Sequence, residues 1–393
     1  MKRERKEQEW MSFCAAYYPS MMKERRETWT LTKAIVVQWL VLVLVFLARV
    51  HARNRLGPWF PREPSPTAHI EGPVAIINGE YYTFGGFYDK GVGGNYWATN
   101  ELHIYSIQRD EWRYGANGPL NITHTQGATD GVRFLWFAGG FIGDHPGVAT
   151  VETWRYDAYF DEWVRGPDLP QPRASSALVY DPIAQELHLI GGLHIDRQTN
   201  VQNHLVLSVS DALSWSDASK QWRMLPKGGL HSRNHYQGVY LEDSIYTVGG
   251  QYGHDITIED VDALDRFDLE RKVWVPLENM PEPRSHMEAS ITLVNGHLIF
   301  AGGRNNIAGK DQTNTVYEYE PHCGKSSCWS SLPDLPFYGD TIGVAFFRNV
   351  TIPRGKGVQT GDYLFVNSAR VPRPKRGVKL IADSWMARVR LPP

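Results

Sequence analysis

Seven of the chain's 14 histidines fall in two recurrent settings: just ahead of a strand pair that ends in Gly-Gly, or just behind that Gly-Gly. The leading positions carry His69 and Glu71, His124, Arg173, Asn234 and His235, Arg284 and His286, and Asp340. The trailing positions carry Asp144 and His145, His194, His254 and Asp255, and Arg304 and Asn305. Imidazoles beside carboxylates can exchange protons, and Glu71 within hydrogen-bond reach of His124 would mark an acid–base site. Arg173, Arg284 and Arg304 could grip a carboxylate in forked geometry. The aromatic side chains of Phe87, Tyr88, Trp97, Phe141 and Tyr252 could stack on a sugar ring or a peptide. Histidines paired with Asp255 or Glu71 could hold a metal. The plainer reading is that these side chains satisfy one another as buried polar groups, so no metal and no cofactor is expected.

The elements that would position these residues repeat along the chain, and repeats are sought before other features. Gly-Gly closes an apolar run at Gly85-Gly86, Gly139-Gly140, Gly191-Gly192, Gly249-Gly250 and Gly302-Gly303, at steps of 54, 52, 58 and 53 residues. A tryptophan follows each pair: Trp112, Trp163, Trp222, Trp274 and Trp329. Seven residues before the first four stands Tyr105, Tyr156, Trp215 or Phe267; in the fifth unit Tyr319 stands ten before. Proline-rich turns (DLPQPR, NMPEPR, DLPF) open the next unit. Each unit reads as four antiparallel strands. The double glycine makes a backbone turn that a Cβ would obstruct, and the tryptophan fills the gap between flat sheets.

A sixth unit is degenerate. TIGVAFF (341–347) matches a first strand and DYLFVNS (362–368) a second, with Val366-Asn367 where Gly-Gly would sit. Two segments compete for its outer strand. One contains Trp385; the other, preferred, is the N-terminal Trp59 segment, which would close the ring like a clasp and remove exposed sheet edges.

The run PRSHMEASITLVNGHLIFAGG, then TVYEYEPH, then CWSSLPDLP, resembles the kelch repeat, from about His69 to the C-terminus. The fold expected is all-β: a six-bladed kelch β-propeller of four antiparallel strands per blade behind a short N-terminal hydrophobic helix. The chain is most similar to galactose-oxidase-like kelch proteins, and SRNHYQGVYLEDSIYTVGGQYGHD resembles a phrase of extracellular members. In the oxidases, copper works with a tyrosine linked to a cysteine. Here Cys14 lies outside the repeats and Cys323 and Cys328 read as a local disulfide, so the copper-radical reading is disfavoured. The chain has no Gly-x-Ser-x-Gly, His-Glu-x-x-His or phosphate-loop motif.

The expected organisation is a charged segment at 1–33, a signal peptide or signal anchor at 34–52, a linker and ring-closing strand at 53–68, and the propeller at 69–393. The uncharged run AIVVQWLVLVLVFLA (34–48) is short for a membrane span and sized for a signal-peptide core. Val50 and Ala52 fit a cleavage site, and a retained single anchor is the alternative. Sequons at Asn121 and Asn349 follow that run. These features place the propeller outside the cell or in the lumen. The net charge is −2, yet residues 354–393 hold 9 basic against 2 acidic side chains and residues 53–353 hold 23 against 36. No interleaving of basic and aromatic residues suggests nucleic acid.

The site expected on the central face comprises Glu71, His124, Arg173, Asn234, His235, His254, Asp255, Arg284, His286, Arg304 and Asn305. The function expected is a non-enzymatic binding module for a glycan or protein. The alternative is a carbohydrate-active hydrolase, lyase or mutarotase working in the channel. A channel with a close carboxylate–imidazole pair would favour the enzyme; one with only arginine, asparagine and aromatics would favour binding.

Overall fold

A computed structural model describes residues 55–89, 96–210, 215–217, 220–226, 229–306, 310–324, 327–373 and 377–390. The hydrophobic segment 34–52, its cleavage point and Cys14 lie outside the described residues. The compact unit that carries the repeats runs from Arg55 to Pro393. No helix among the described residues is long and apolar enough to cross a membrane.

Six four-stranded antiparallel sheets follow one another along this unit. In order from the first strand, blade 1 is Val74–Ile77, Glu80–Phe84, Leu102–Ser106 and Glu111–Tyr114. Blade 2 is Gly127–Thr129, Phe134–Ala138, Thr153–Asp157 and Glu162–Arg165. Blade 3 is Ala177–Asp181, Glu186–Ile190, His204–Ser208 and Arg223–Met224. Blade 4 is Gln237–Leu241, Ser244–Val248, Leu264–Asp268 and Val273–Pro276. Blade 5 is Ile291–Val294, His297–Ala301, Val316–Tyr319 and Trp329–Leu332. Blade 6 is Gly343–Arg354, Gly357–Pro372 and Val378–Val389, with Phe60–Arg62 as its outer strand. The N-terminal segment pairs there with Pro61 opposite Trp385, so Trp385 belongs to the third strand and not to the outer one. The first strands of successive blades touch in a closed cycle, blade 6 meeting blade 1.

The core is divided among six seams, one between each pair of neighbouring blades. Leu135 and Phe137 of blade 2 meet Phe84 and Ile104 of blade 1, and Phe365 of blade 6 meets Tyr81 and Tyr105 of blade 1. The outer-strand tryptophans tie these seams. Trp112 donates its indole N–H to the Glu63 carbonyl at 2.9 Å, Trp163 to Ala116 at 2.9 Å, Trp222 to Pro167 at 3.2 Å and Trp329 to Glu278 at 3.1 Å. Each acceptor belongs to the preceding blade, so the apolar ring packs on the seam, buried at Trp222 and half-buried at the other three, while its polar tip is satisfied. Trp215 lies beyond the third strand of blade 3, not on it, and joins the seam with blade 2 through the Val164 carbonyl at 2.9 Å. Cys323 and Cys328 are joined in a disulfide.

The second glycine of each of the five repeat diglycines reaches across a seam. Its N–H donates to a carbonyl of the next blade: Gly86 to Ile122, Gly140 to Arg173, Gly192 to Arg233, Gly250 to Arg284 and Gly303 to Gly339, at 2.7–3.0 Å. Both glycines have positive φ, and a Cβ on Gly139 would stand 2.3 Å from the Arg173 carbonyl oxygen. In blade 6 the equivalent pair is Ser368-Ala369, two residues beyond Val366-Asn367. Arg370 pairs with Asp340 as Arg304 pairs with Ser285, and Ser368 has the positive φ of a first glycine.

Two outcomes follow. Gly139→Ala should lower stability by several kcal/mol, because strain at positive φ adds to a backbone collision. Gly131→Ala, also at positive φ but with nothing within 4 Å, should cost only about 1 kcal/mol; urea unfolding compares the two. The second outcome concerns His188 and His204, buried in the seam between blades 3 and 4 and 2.9 Å apart. Burial pushes His188 down to about 3 and His204 well below its usual range. An unfolded histidine takes its proton near pH 6.5, so the unfolded chain binds more protons between there and pH 3. Stability must then fall as pH falls, by up to about 1.4 kcal/mol per pH unit for each histidine. Unfolding midpoints measured from pH 7 to pH 4 should drop, and the His188→Gln/His204→Gln double variant should show a shallower drop.

Candidate functional site

In blades 2 to 6 the residue that turns the chain into the first strand lies two positions after the carbonyl that accepts the seam bond, and Glu71 takes the same place ahead of blade 1. These six residues are Glu71, His124, Ser175, His235, His286 and Thr341, and all have φ between 51° and 59°. This left-handed conformation is uncommon outside glycine. It recurs because the backbones lock together around the ring: His124 N–H donates to Glu71 O at 2.7 Å, Ser175 to His124 at 2.7 Å and Thr341 to His286 at 2.9 Å. A second ring consists of the residues just after the diglycines, Phe87, Phe141, Leu193, Gln251, Arg304 and Arg370, each bridged to the residue before a left-handed one.

Together the rings line a cavity of about 600 Å³ that includes Glu71, His124, His235, His286, Arg304 and Arg370, with His254, Asp255 and the aromatic Phe87, Tyr96 and Trp97 on its wall. Glu71 and His124 are both buried, and Glu71 Oε2 lies 3.2 Å from His124 Nε2. Burial pushes the Glu71 carboxyl up to about 7, although the Arg370 guanidinium opposes the rise. Burial likewise holds His124 well below its usual range, helped by the neighbouring His235 and His254. His235 differs: burial disfavours its charge, but the charge of the Glu288 carboxylate and the hydrogen bond to it outweigh that and raise its pKa. His286 stacks on His235 with ring centroids 4.3 Å apart, and burial pushes it down. Arg370 is held by Asp340 through two bonds of 2.8 and 3.0 Å.

Seven of the eleven residues expected from the sequence line the cavity: Glu71, His124, His235, His254, Asp255, His286 and Arg304. Four do not. Arg173 is fully buried, and its guanidinium finds no hydrogen-bond acceptor among the described residues. Arg284 turns toward Glu282 and Thr315, both at 2.7 Å. Asn234 is spent on the carbonyls of Gln251 and Gly253. Asn305 donates to Glu282 at 3.2 Å. The reason is common to Arg173 and Arg284: they precede the left-handed residue by two, which puts them in the seam, not on the axis. The sequence reading missed Arg370, Gln251, Tyr96 and Glu288. Arg370 follows from the trailing-position rule once the sixth pseudo-diglycine is placed at Ser368-Ala369; Glu288, two residues past His286, has no such signal. His69 sits beside His103, rings stacked at 4.2 Å, with Glu101 3.1 Å from His103. Asn121 and Asn349 are exposed.

Six sheets closed around an axis, with the left-handed ring at its mouth, define a β-propeller. The diglycine seams and outer-strand tryptophans make this chain a kelch-repeat β-propeller. Known proteins agree. The chain is 27% identical over 331 residues to Kelch-like protein terF of Aspergillus terreus, covering 82% of this chain and 67% of that protein. It is 24% identical over 297 residues to mouse Kelch-like protein 35, of which it spans 44%, and 23% identical over 285 residues to human Kelch domain-containing protein 1, of which it spans 67%. Among solved structures, one titled "Structure of YjhT" shares the fold, with a TM-score of 0.56 and 16% identity over 82% of this chain and 95% of that one. No family model matches the chain.

Proposed function

We propose that the axial cavity takes a small polar substrate of saccharide size and moves a proton on it, with Glu71 and His124 as the acid–base pair. The observation that carries this reading is the 3.2 Å contact between a buried carboxylate and a buried imidazole on the cavity wall. A channel lined only by arginine, asparagine and aromatics would hold a ligand without offering it such a pair. The volume suits a small-molecule site. Arg304 supplies positive charge for a carboxylate or a developing oxyanion, and Phe87, Tyr96 and Trp97 offer faces for an apolar ring surface. The substrate class that fits is a sugar, a uronic acid or a hydroxy acid, and the reaction class an isomerisation or elimination that begins with proton removal.

A second reading, a binding module for a glycan or protein, is favoured by the kelch-like relatives and by Tyr252, which is 39% exposed on the short strand Gln251–Tyr252 next to the cavity. The two readings separate in one experiment. Purified protein is incubated in D2O with a panel of aldoses, uronic acids and hydroxy acids and followed by proton NMR. Proton exchange or isomerisation of one class is expected. Glu71→Gln should slow it by about 100-fold or more while saturation-transfer signals from the bound ligand persist. Binding with no exchange in the parent protein would overturn the enzyme reading and leave the binding module.

We also propose that the propeller works in an oxidising compartment, either secreted or on a single anchor with the propeller facing out. The disulfide and the two exposed sequons support this. Glycosidase treatment of protein from its native source should raise electrophoretic mobility, and Asn121→Gln with Asn349→Gln should abolish that change. Thiol labelling of Cys323 and Cys328 without prior reduction would contradict it.

A further inference from the structure

Three imidazoles in the cavity are arranged in a way that acid–base chemistry by Glu71 and His124 does not require. His124, His235 and His254 each bring one ring nitrogen to within 4.8 Å of the other two. Their ring centroids are 4.9, 5.1 and 5.6 Å apart. All three are at least 95% buried. They come from two different parts of the blade plan: His124 and His235 from the left-handed ring, and His254 from the loop after Gly253.

An independent observation concerns the far side of each ring. Nδ1 of His124 is 2.9 Å from Thr123 Oγ1 and Nδ1 of His235 is hydrogen-bonded to Glu288, while Nδ1 of His254 lies 3.1 Å from Asp255 Oδ2 outside hydrogen-bond geometry. For His124 and His235 an oxygen behind Nδ1 fixes the ring and leaves Nε2 for another partner. That is the support which metal-ligating histidines carry almost without exception.

We propose that His124, His235 and His254 form a binding site for a divalent transition-metal ion of the zinc or cobalt kind, with the fourth position open to the cavity. Three imidazoles suit ions of this class, and three protein ligands with one open position is the pattern of a catalytic and not a structural site. At a Zn–N distance of about 2.0–2.1 Å, tetrahedral ligands stand about 3.3 Å apart, so the rings draw together on binding. The loop-borne His254 is free of the strand register and supplies the movement. Glu71 Oε2, 3.2 Å from His124 Nε2, becomes the fourth donor or accepts a proton from water in the open position. Glu71, Glu288 and Asp255 offset the charge of the ion against Arg370, Arg304 and Arg197.

The site shares His124 with the proton-transfer reading but does not depend on turnover, so it is tested by equilibrium binding. The whole chain is stripped with a chelator, dialysed and titrated with Co2+ by visible absorption, then with Zn2+ by calorimetry and by displacement of Co2+. The expected result is one equivalent of Co2+ with the intense visible bands of a four-coordinate ion, displaced by Zn2+. His254→Gln should weaken binding at least 100-fold. Glu288→Gln, which leaves the three ligands in place, should weaken it about 10-fold to 100-fold. His69→Gln tests the other histidine–carboxylate group, His69, Glu101 and His103, which lies outside the cavity and whose imidazoles are already engaged by one carboxylate; it should change neither stoichiometry nor affinity. Circular dichroism and an unchanged melting temperature in the stripped state identify folded variants. Absence of tight binding, binding indifferent to His254→Gln in folded protein, or loss of the cobalt bands in His69→Gln would each overturn the proposal. Metal binding with no proton exchange on any substrate would leave this site standing and remove the reaction proposed above.

Discussion

The molecule rests on one repeated hydrogen bond. The amide of a second glycine in one blade donates to a carbonyl of the next, and the chain then has two residues in which to turn into its first strand. The close approach needs a position without a side chain on the donor side. The turn needs a left-handed residue on the acceptor side. From these two requirements follow the even spacing of the sheets, the six apolar seams between them and the ring of six side chains at the axis. The bond is short in all five places where a diglycine makes it.

The ring explains why a fold built for packing presents chemistry at its centre. Left-handed backbone is costly for most side chains, and histidine is among the residues that tolerate it more readily. Three of the six positions are occupied by histidine and a fourth by Glu71. Burial then acts differently on each. Glu71 and His124 are both pushed toward their neutral forms, while Glu288 raises the pKa of His235. The cavity thus holds an acid, a base and a fixed pair within a few ångströms, flanked by Arg370, itself neutralised by Asp340.

Much of this was legible in the amino-acid order. The diglycines, tryptophans and proline turns are local signals with a fixed period, and five of six blades can be drawn from them. Glu71, His124, His235 and His286 could be placed on the axis because they open first strands. The failures have physical causes. Arg173 and Arg284 stand close to those positions, and only the seam geometry shows that a separation of two residues sends a side chain between blades. In blade 6, Ser368 and Ala369 stand in the place of the glycines, so the period there is not visible, and Arg370 was lost with it. Glu288 and the grouping of His254 with His124 and His235 depend on neighbours in other blades, which spacing along one chain does not encode.

The outer strand of blade 6 is contributed by Phe60–Arg62, more than 300 residues from its partner Val378–Val389. During synthesis this short strand leaves the ribosome first and must wait, unpaired, until the last blade is made. Until then the growing chain is an open arc, whose two raw ends have the hydrogen-bonding capacity of any exposed sheet edge. A chain cut short before residue 378 would keep five complete sheets yet could not join its ends, and would present those edges to other copies of itself.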